Sequence, residues 1–179
     1  MLCRMFRFGK GFTVFELLVS LAIVALLLAA GIPAVQAWSM NMRLRAAVTD
    51  LQSGLDAARS AAINLNAQVV ICPGSPGQGC QAKGWQWGWI RFVDGNGDRQ
   101  LQSNETLLQQ GNPVDGLSIT SSANRRKLRF APNGTAPGSN VTISFCDRRG
   151  GAAGKRLIVS GSGRVRRESA SSEAPAACV

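Results

Sequence analysis

Phe8-Gly9-Lys10-Gly11-Phe12-Thr13-Val14-Phe15-Glu16 leads directly into an apolar stretch that runs to Val35. Residues 17–35 carry no charge and one hydroxyl, Ser20. As a helix rising about 1.5 Å per residue they span roughly 28 Å, the thickness of a bilayer core. The segment before Gly11 carries Arg4, Arg7 and Lys10 and no acid, so it stays on the cytoplasmic side. A secretory signal peptide is cut after its apolar region; here the candidate cut, Gly11–Phe12, precedes it. The helix therefore survives processing and crosses the membrane outward. Glu16 lies one turn inside that helix, where a carboxylate is costly unless neutral or partnered. The amine freed at Phe12, on a neighbouring subunit, is a suitable partner.

Lys10-Gly11-Phe12-Thr13 followed by Glu16-Leu17-Leu18 resembles the type III signal of type IV pilins and pseudopilins. The resemblance implies a prepilin peptidase cutting after Gly11, methylation of the new N-terminus at Phe12, and a role for Glu16 in insertion into a filament. Pro33 is similar to the proline near which pilin helices bend or melt; an interior proline removes a hydrogen bond and kinks the axis. The implied fold is α+β: a long N-terminal helix packed on a small antiparallel β-sheet head. Residues 1–11 are then a leader, 12–36 the transmembrane and filament-core helix, 37–66 an amphipathic helix, and 67–179 a β-rich head with a basic C-terminal region.

The 179 residues leave room for one helix and one modest domain. Histidine is absent, which removes the commonest general base and metal ligand. No nucleophile motif is present either, so neither an enzyme nor a cofactor is expected. Of five cysteines, Cys3 belongs to the leader. Cys72, Cys80, Cys146 and Cys178 remain on the outward side, where disulfides are the default and three pairings are possible. We favour Cys72–Cys80, which closes a Pro/Gly loop, and Cys146–Cys178, which staples the tail. A four-cysteine zinc site is disfavoured because no Cys-x-x-Cys pair occurs.

Charge is unevenly distributed. Residues 36–119 hold six basic and six acidic side chains; from Thr120 onward there are eleven basic and three acidic ones. The surplus of the exported part, +8, thus lies in its last third, which points to a polyanionic partner.

Leu44, Val48, Leu51, Leu55, Ala58, Ala62 and Leu65 recur at spacings of four and three, the signature of one helical stripe continuing to about Asn66. Strands are expected at 68–72 (ended by Pro73), 85–93, 117–120, 127–130, 141–146 and 156–160. Turns are expected at 95–97 and 132–134, and a glycine-rich flexible loop at 150–154. The small, polar residues 170–179 are loose without a disulfide. Trp85, Trp87 and Trp89 share one face if their strand is regular, and that face is read as core rather than as a base-stacking platform. The segment Gly84-Trp85-Gln86-Trp87-Gly88-Trp89-Ile90-Arg91-Phe92-Val93-Asp94 with Glu105 downstream resembles the GspH/FimT group of minor pilins and pseudopilins.

Two constellations bear on chemistry. Gly163-Arg164-Val165-Arg166, followed by Arg167, places two guanidiniums about 7 Å apart on one face if the segment is a strand. Arginine forks bind phosphate bidentately. The pattern resembles the GRxR of FimT-type minor pilins, and the resemblance assigns DNA binding to Arg164 and Arg166, with Gly163 letting the backbone approach. Lys155, Arg156, Arg148, Arg149 and the run 125–127 are supporting cations. A charged edge strand that blocks aggregation gives the same pattern without DNA. The second constellation, Asp94-Gly95-Asn96-Gly97-Asp98 with Glu105, nearly matches a calcium loop. Arg99, however, stands where glycine is needed and the flanks read as strands. A hairpin turn accounts for it, and no metal is expected.

The expected protein is a minor type IV pilin, held in the inner membrane and then carried in a surface filament. Its partners are other major and minor pilins, the prepilin peptidase and double-stranded DNA taken up in natural transformation. The alternative is a minor pilin or GspH-like type II secretion pseudopilin that acts in assembly alone.

Overall fold

A computed structural model describes residues 11–122, 125–150 and 154–169. The leader cations, Cys3, Cys178, the expected loose tail and the centre of the glycine-rich loop lie outside the described residues. Helix α1 spans Val14–Asn64 and continues through Pro33. Thr13 caps it, its Oγ1 accepting from the Glu16 N–H at 3.2 Å. The Ser20 hydroxyl donates to the Glu16 carbonyl at 2.6 Å. A hydroxyl in an apolar helix is satisfied this way without breaking the ladder.

Two compact units divide the chain after Met40. In the first, the apolar part of α1 is exposed, and the helix is long and apolar enough to cross a membrane. In the second, α1 buries Leu44, Ala47, Val48, Leu51, Gly54, Leu55, Ala58 and Ala62. The expected stripe is present except for Leu65, which is 53% exposed. The helix ends before it: Asn66 adopts a left-handed φ of 46°. The Ala67 N–H then donates to Ala62 O, and the Asn66 N–H to Ile63 O, a Schellman cap.

The head contains β1 (Val69–Ser75), β2 (Gly79–Cys80), β3 (Trp89–Val93), β4 (Leu107–Gly111), β5 (Leu117–Ser121), β6 (Leu128–Phe130), β7 (Val141–Asp147), β8 (Lys155–Val159) and β9 (Val165–Ser169). These form two antiparallel sheets rather than one. The first runs β2-β1-β3-β4, with β6 also on β1; the second runs β5-β7-β8-β9. Val69, Ile71, Leu128, Phe130, Ile143, Phe145, Leu157 and Val159 meet the buried face of α1 in one core.

Three expectations need correction. Pro73 does not end β1. It lies past the end of β6, opposite Ile71, where its carbonyl accepts from the Gln81 N–H at 2.7 Å, so its missing N–H costs at most one bond at the margin of the short β2 ladder. Residues 85–93 are not one strand: Trp85–Trp87 is a 3₁₀ turn, and Gly88 at φ 99° redirects the chain into β3. The tryptophans therefore do not share a face. Trp85 and Trp89 are buried, whereas Trp87 is 63% exposed. Strands β2 and β4 were not expected, because Gln109 and Gln110 blur any alternation in β4.

The disulfide Cys72–Cys80 is present, with Cα atoms 5.5 Å apart. Cys146 is also disulfide-bonded.

Candidate functional site

The hairpin between β8 and β9 is a three-residue loop. The Ser160 N–H donates to Arg164 O at 3.0 Å, and the Gly163 N–H to Ser160 O at 2.8 Å. Gly163 has φ 78°, as the last position of such a loop requires. A second loop of the same form precedes it in the chain. There the Ala131 N–H donates to Thr135 O, the Gly134 N–H to Ala131 O, and Gly134 has φ 76°. The two loops dock: the Ala136 N–H donates to Gly161 O at 2.8 Å. A Cβ on Gly163 would lie 2.0 Å from the Gly134 carbonyl oxygen. Beneath both glycines lies Arg59 of α1, its Nε 3.3 Å from either would-be Cβ and without a hydrogen-bond partner among the described residues. Arg59 lies off the apolar stripe by which the helix was read, so the sequence carries no sign of this support.

Arg164, immediately before β9, and Arg166, within it, are exposed. Arg167 turns the other way, donating to Gln52 Oε1 and to Thr49 Oγ1 at 3.4 Å, both on α1. Strand alternation thus sets Arg166 on the side away from α1. Arg166 lies 3.6 Å from Glu168, an exposed pair of the kind that adds little to stability and leaves the guanidinium open to a phosphate.

Lys155, Arg156 and Arg167 converge with Arg45 of α1 on a hollow of about 290 Å³ that Glu168 also lines. Lys155 Nζ donates to Ser169 Oγ at 3.2 Å. Arg156 pairs across the ladder with Ser144 and Glu168, and its buried Nη2 has no hydrogen-bond partner among the described residues. Arg45 escaped the sequence reading because its segment is neutral in sum.

The remaining cations are placed apart from this hollow. Arg148 is exposed. Arg149 is committed within the fold, its guanidinium donating to Asp147 at 2.5–3.1 Å and to Asn41 Oδ1 at 2.9 Å. Hydrogen bonding from Arg149 holds the Asp147 carboxyl below its ordinary range, and the same bond pushes the guanidinium up. At the other end, Gly11 and Phe12 are exposed ahead of α1.

The family model described as Type II transport protein GspH matches residues 47–163, nearly the whole of this head. The chain belongs to the GspH family. A second model, the prokaryotic N-terminal methylation motif, matches residues 7–32. The two together make it a member of the type IV pilin and pseudopilin superfamily, with a minor pilin or pseudopilin role in a type IV pilus or a type II secretion system. The type IV minor pilin FimU of Pseudomonas aeruginosa is similar in two crystal forms. One gives a TM-score of 0.62 at 24% identity over 79% of this chain and 99% of that one. The other gives 0.61 at 25% identity over 76% and 100%. The minor pseudopilin EpsH from the type 2 secretion system of Vibrio cholerae shares the fold, with a TM-score of 0.53 at 11% identity over 71% of this chain and 97% of that one. No curated protein sequence matches the chain. These names are those of secretion and pilus subunits, not of enzymes.

In this GspH-family head the loop after β3 uses its carboxylates on its own backbone. Buried Asp94 accepts from the N–H groups of Gly97 and Arg99 at 2.8 and 3.2 Å, and from Gln68 Nε2 at 2.8 Å. Glu105 accepts from the Gly95 and Gln102 N–H groups at 2.9 and 3.1 Å. The Gln100 N–H, donating at 2.7 Å, leads the hydrogen bonds that lower the Asp98 carboxyl. Arg99 takes the left-handed φ of 60°. The constellation is a self-capped turn, and no cluster among the described residues has the ligands to hold a metal.

Proposed function

We propose that this GspH-family chain is a minor type IV pilin of the FimT kind whose head captures extracellular double-stranded DNA for uptake in natural transformation. One observation carries the reading: Arg164 and Arg166 stand exposed on a hairpin whose turn is fixed by glycine packing. The packed turn fixes the backbone from which both guanidiniums project, so their spacing is set before a phosphate arrives. Lys155, Arg156 and Arg167, joined by Arg45, supply a second group of cations around one hollow. Binding is then phosphate-directed and indifferent to base sequence. The Gly11–Phe12 bond is the site of prepilin cleavage and methylation, residues 12–36 lie in the inner membrane and later the filament core, and Glu16 serves assembly with the other pilins.

Full-length protein in detergent micelles, titrated with a short duplex at several salt concentrations, tests this. The wild type should bind, with affinity falling as salt rises. Arg164→Gln with Arg166→Gln should lower the slope of log K against log salt by about 1.8, for two lost phosphate contacts. An unchanged slope in a folded double variant removes these residues from the interface. The second reading, an assembly subunit without DNA, draws on the internal commitment of Arg149 and Arg167; it requires that the wild type not bind duplex at all.

A further inference from the structure

We infer that the head has a second phosphate-binding site, a cleft walled by Arg99, Arg125, Arg126 and Lys127, and that one duplex engages both this cleft and the β8–β9 hairpin. The inference rests on the DNA reading above and extends it to a region of the head that the hairpin does not include. The cleft encloses about 620 Å³, and no carboxylate among the described residues lines it. Asp98 acts on Lys127 from outside the lining, yet the lining itself is net positive, which favours an anion seated in the cleft.

The cations come from separate parts of the chain and are held there. The Arg99 N–H is anchored on Asp94, and its left-handed backbone fixes where the side chain leaves the loop. Lys127 immediately precedes β6. Arg125 donates from Nη1 to Gly138 O at 3.3 Å and Asn140 O at 2.9 Å. Asn140 in turn accepts from the Gly161 N–H through its Oδ1 at 2.6 Å. A single residue therefore bridges the wall of the cleft and the turn that presents Gly163 and Arg164. That continuity sets the hairpin turn and the cleft wall side by side through Asn140, and a long polyanion with phosphates repeated along its length, such as duplex DNA, is the occupant that can span both.

The same micelle titration decides it with Arg99→Gln and Lys127→Gln combined. Both changes leave the Asp94 and Asn140 contacts in place, since Arg99 meets Asp94 through its backbone and Arg125 is untouched. The expected result is a salt slope lower by about 1.8 at an unchanged melting temperature, adding to the loss from Arg164→Gln/Arg166→Gln. An unaltered slope here, with loss in the hairpin variant, overturns the second site and leaves the hairpin reading standing. Loss here with none in the hairpin variant overturns the hairpin reading and keeps the cleft. A wild type that fails to bind duplex sinks both.

Discussion

Gly163 rests against Gly134 so closely that it cannot carry a side chain without moving the Gly134 loop: a Cβ on Gly163 would stand 2.0 Å from the Gly134 carbonyl oxygen, whereas one on Gly134 would meet Ile63 of α1 at 2.8 Å. Both residues also hold a left-handed φ. The glycine that opens the Gly-Arg-x-Arg sequence is thus needed by the fold itself, whatever ligand the arginines meet. Gly163→Ala should destabilise the protein by about 2–4 kcal/mol, from backbone strain and a collision that no flexible side chain can absorb. Gly161→Ala is the control. Its Cβ would meet only Asn140 Oδ1, at 3.5 Å, and its φ is not left-handed, so the change should stay within about 0.5 kcal/mol. Urea unfolding of the two variants checks the contrast; equal midpoints would refute it.

Trp89 sets up a similar contest inside the helix. Its indole lies over Gly54 of α1, where a Cβ would come 2.6 Å from Cη2, and its Nε1 donates to Asp50 Oδ2 at 3.0 Å. Helix propensity alone favours Gly54→Ala by about 1 kcal/mol. Overpacking a rigid ring costs about 1–3 kcal/mol, and here it also pulls against the hydrogen bond. We expect overpacking to win, lowering the melting temperature followed by circular dichroism. A rise would show that the indole can slide.

These two contacts mark where the sequence stops being readable. The buried stripe of α1 was legible because 3.6-residue periodicity is a local property. It failed only at Leu65, where Asn66 turns the chain out of the helix. The division into two sheets was not legible, since it depends on β1 choosing β6 as well as β3, and no local pattern records that choice. Within the candidate site, Arg164 and Arg166 were legible from charge and spacing. The opposite orientation of Arg167 was available from the same alternation. Arg149 had its partner two residues away in Asp147. Arg45 and Arg59 were hidden, because helix cations in a neutral segment look merely solvated until β8 and β9 are set beside the one and the two glycine loops over the other.

The Asp147–Arg149 pair makes stability depend on acid. Its hydrogen bonds lower the Asp147 carboxyl in the folded state. The stabilisation is therefore fully present above the unfolded carboxylate pKa of about 3.9 and is lost as pH falls through the lower folded value. Asp147→Asn should melt earlier than the wild type at pH 7, and the gap should narrow as pH drops below about 4. A gap that stays constant down to pH 2 would mean that the pair contributes through packing rather than charge.

The Cys72–Cys80 bridge joins the middle of β1 to β2, and Cys80 also lines the basic cleft. A loop of this size loses about 2–3 kcal/mol of unfolded-state restriction when opened. For a domain of this length that corresponds to roughly 5–10 °C in melting temperature. Cys72→Ala with Cys80→Ala should show this drop without leaving a buried hydroxyl unsatisfied, as serine would at the fully buried position 72. Because β1 stays paired to β3 and β6 along its first half, the loss should be local. Amide exchange should quicken at β2 and in the cleft while α1 and the β8–β9 hairpin stay protected. Exchange that quickens across the whole head would instead make this small bridge a support of the entire core.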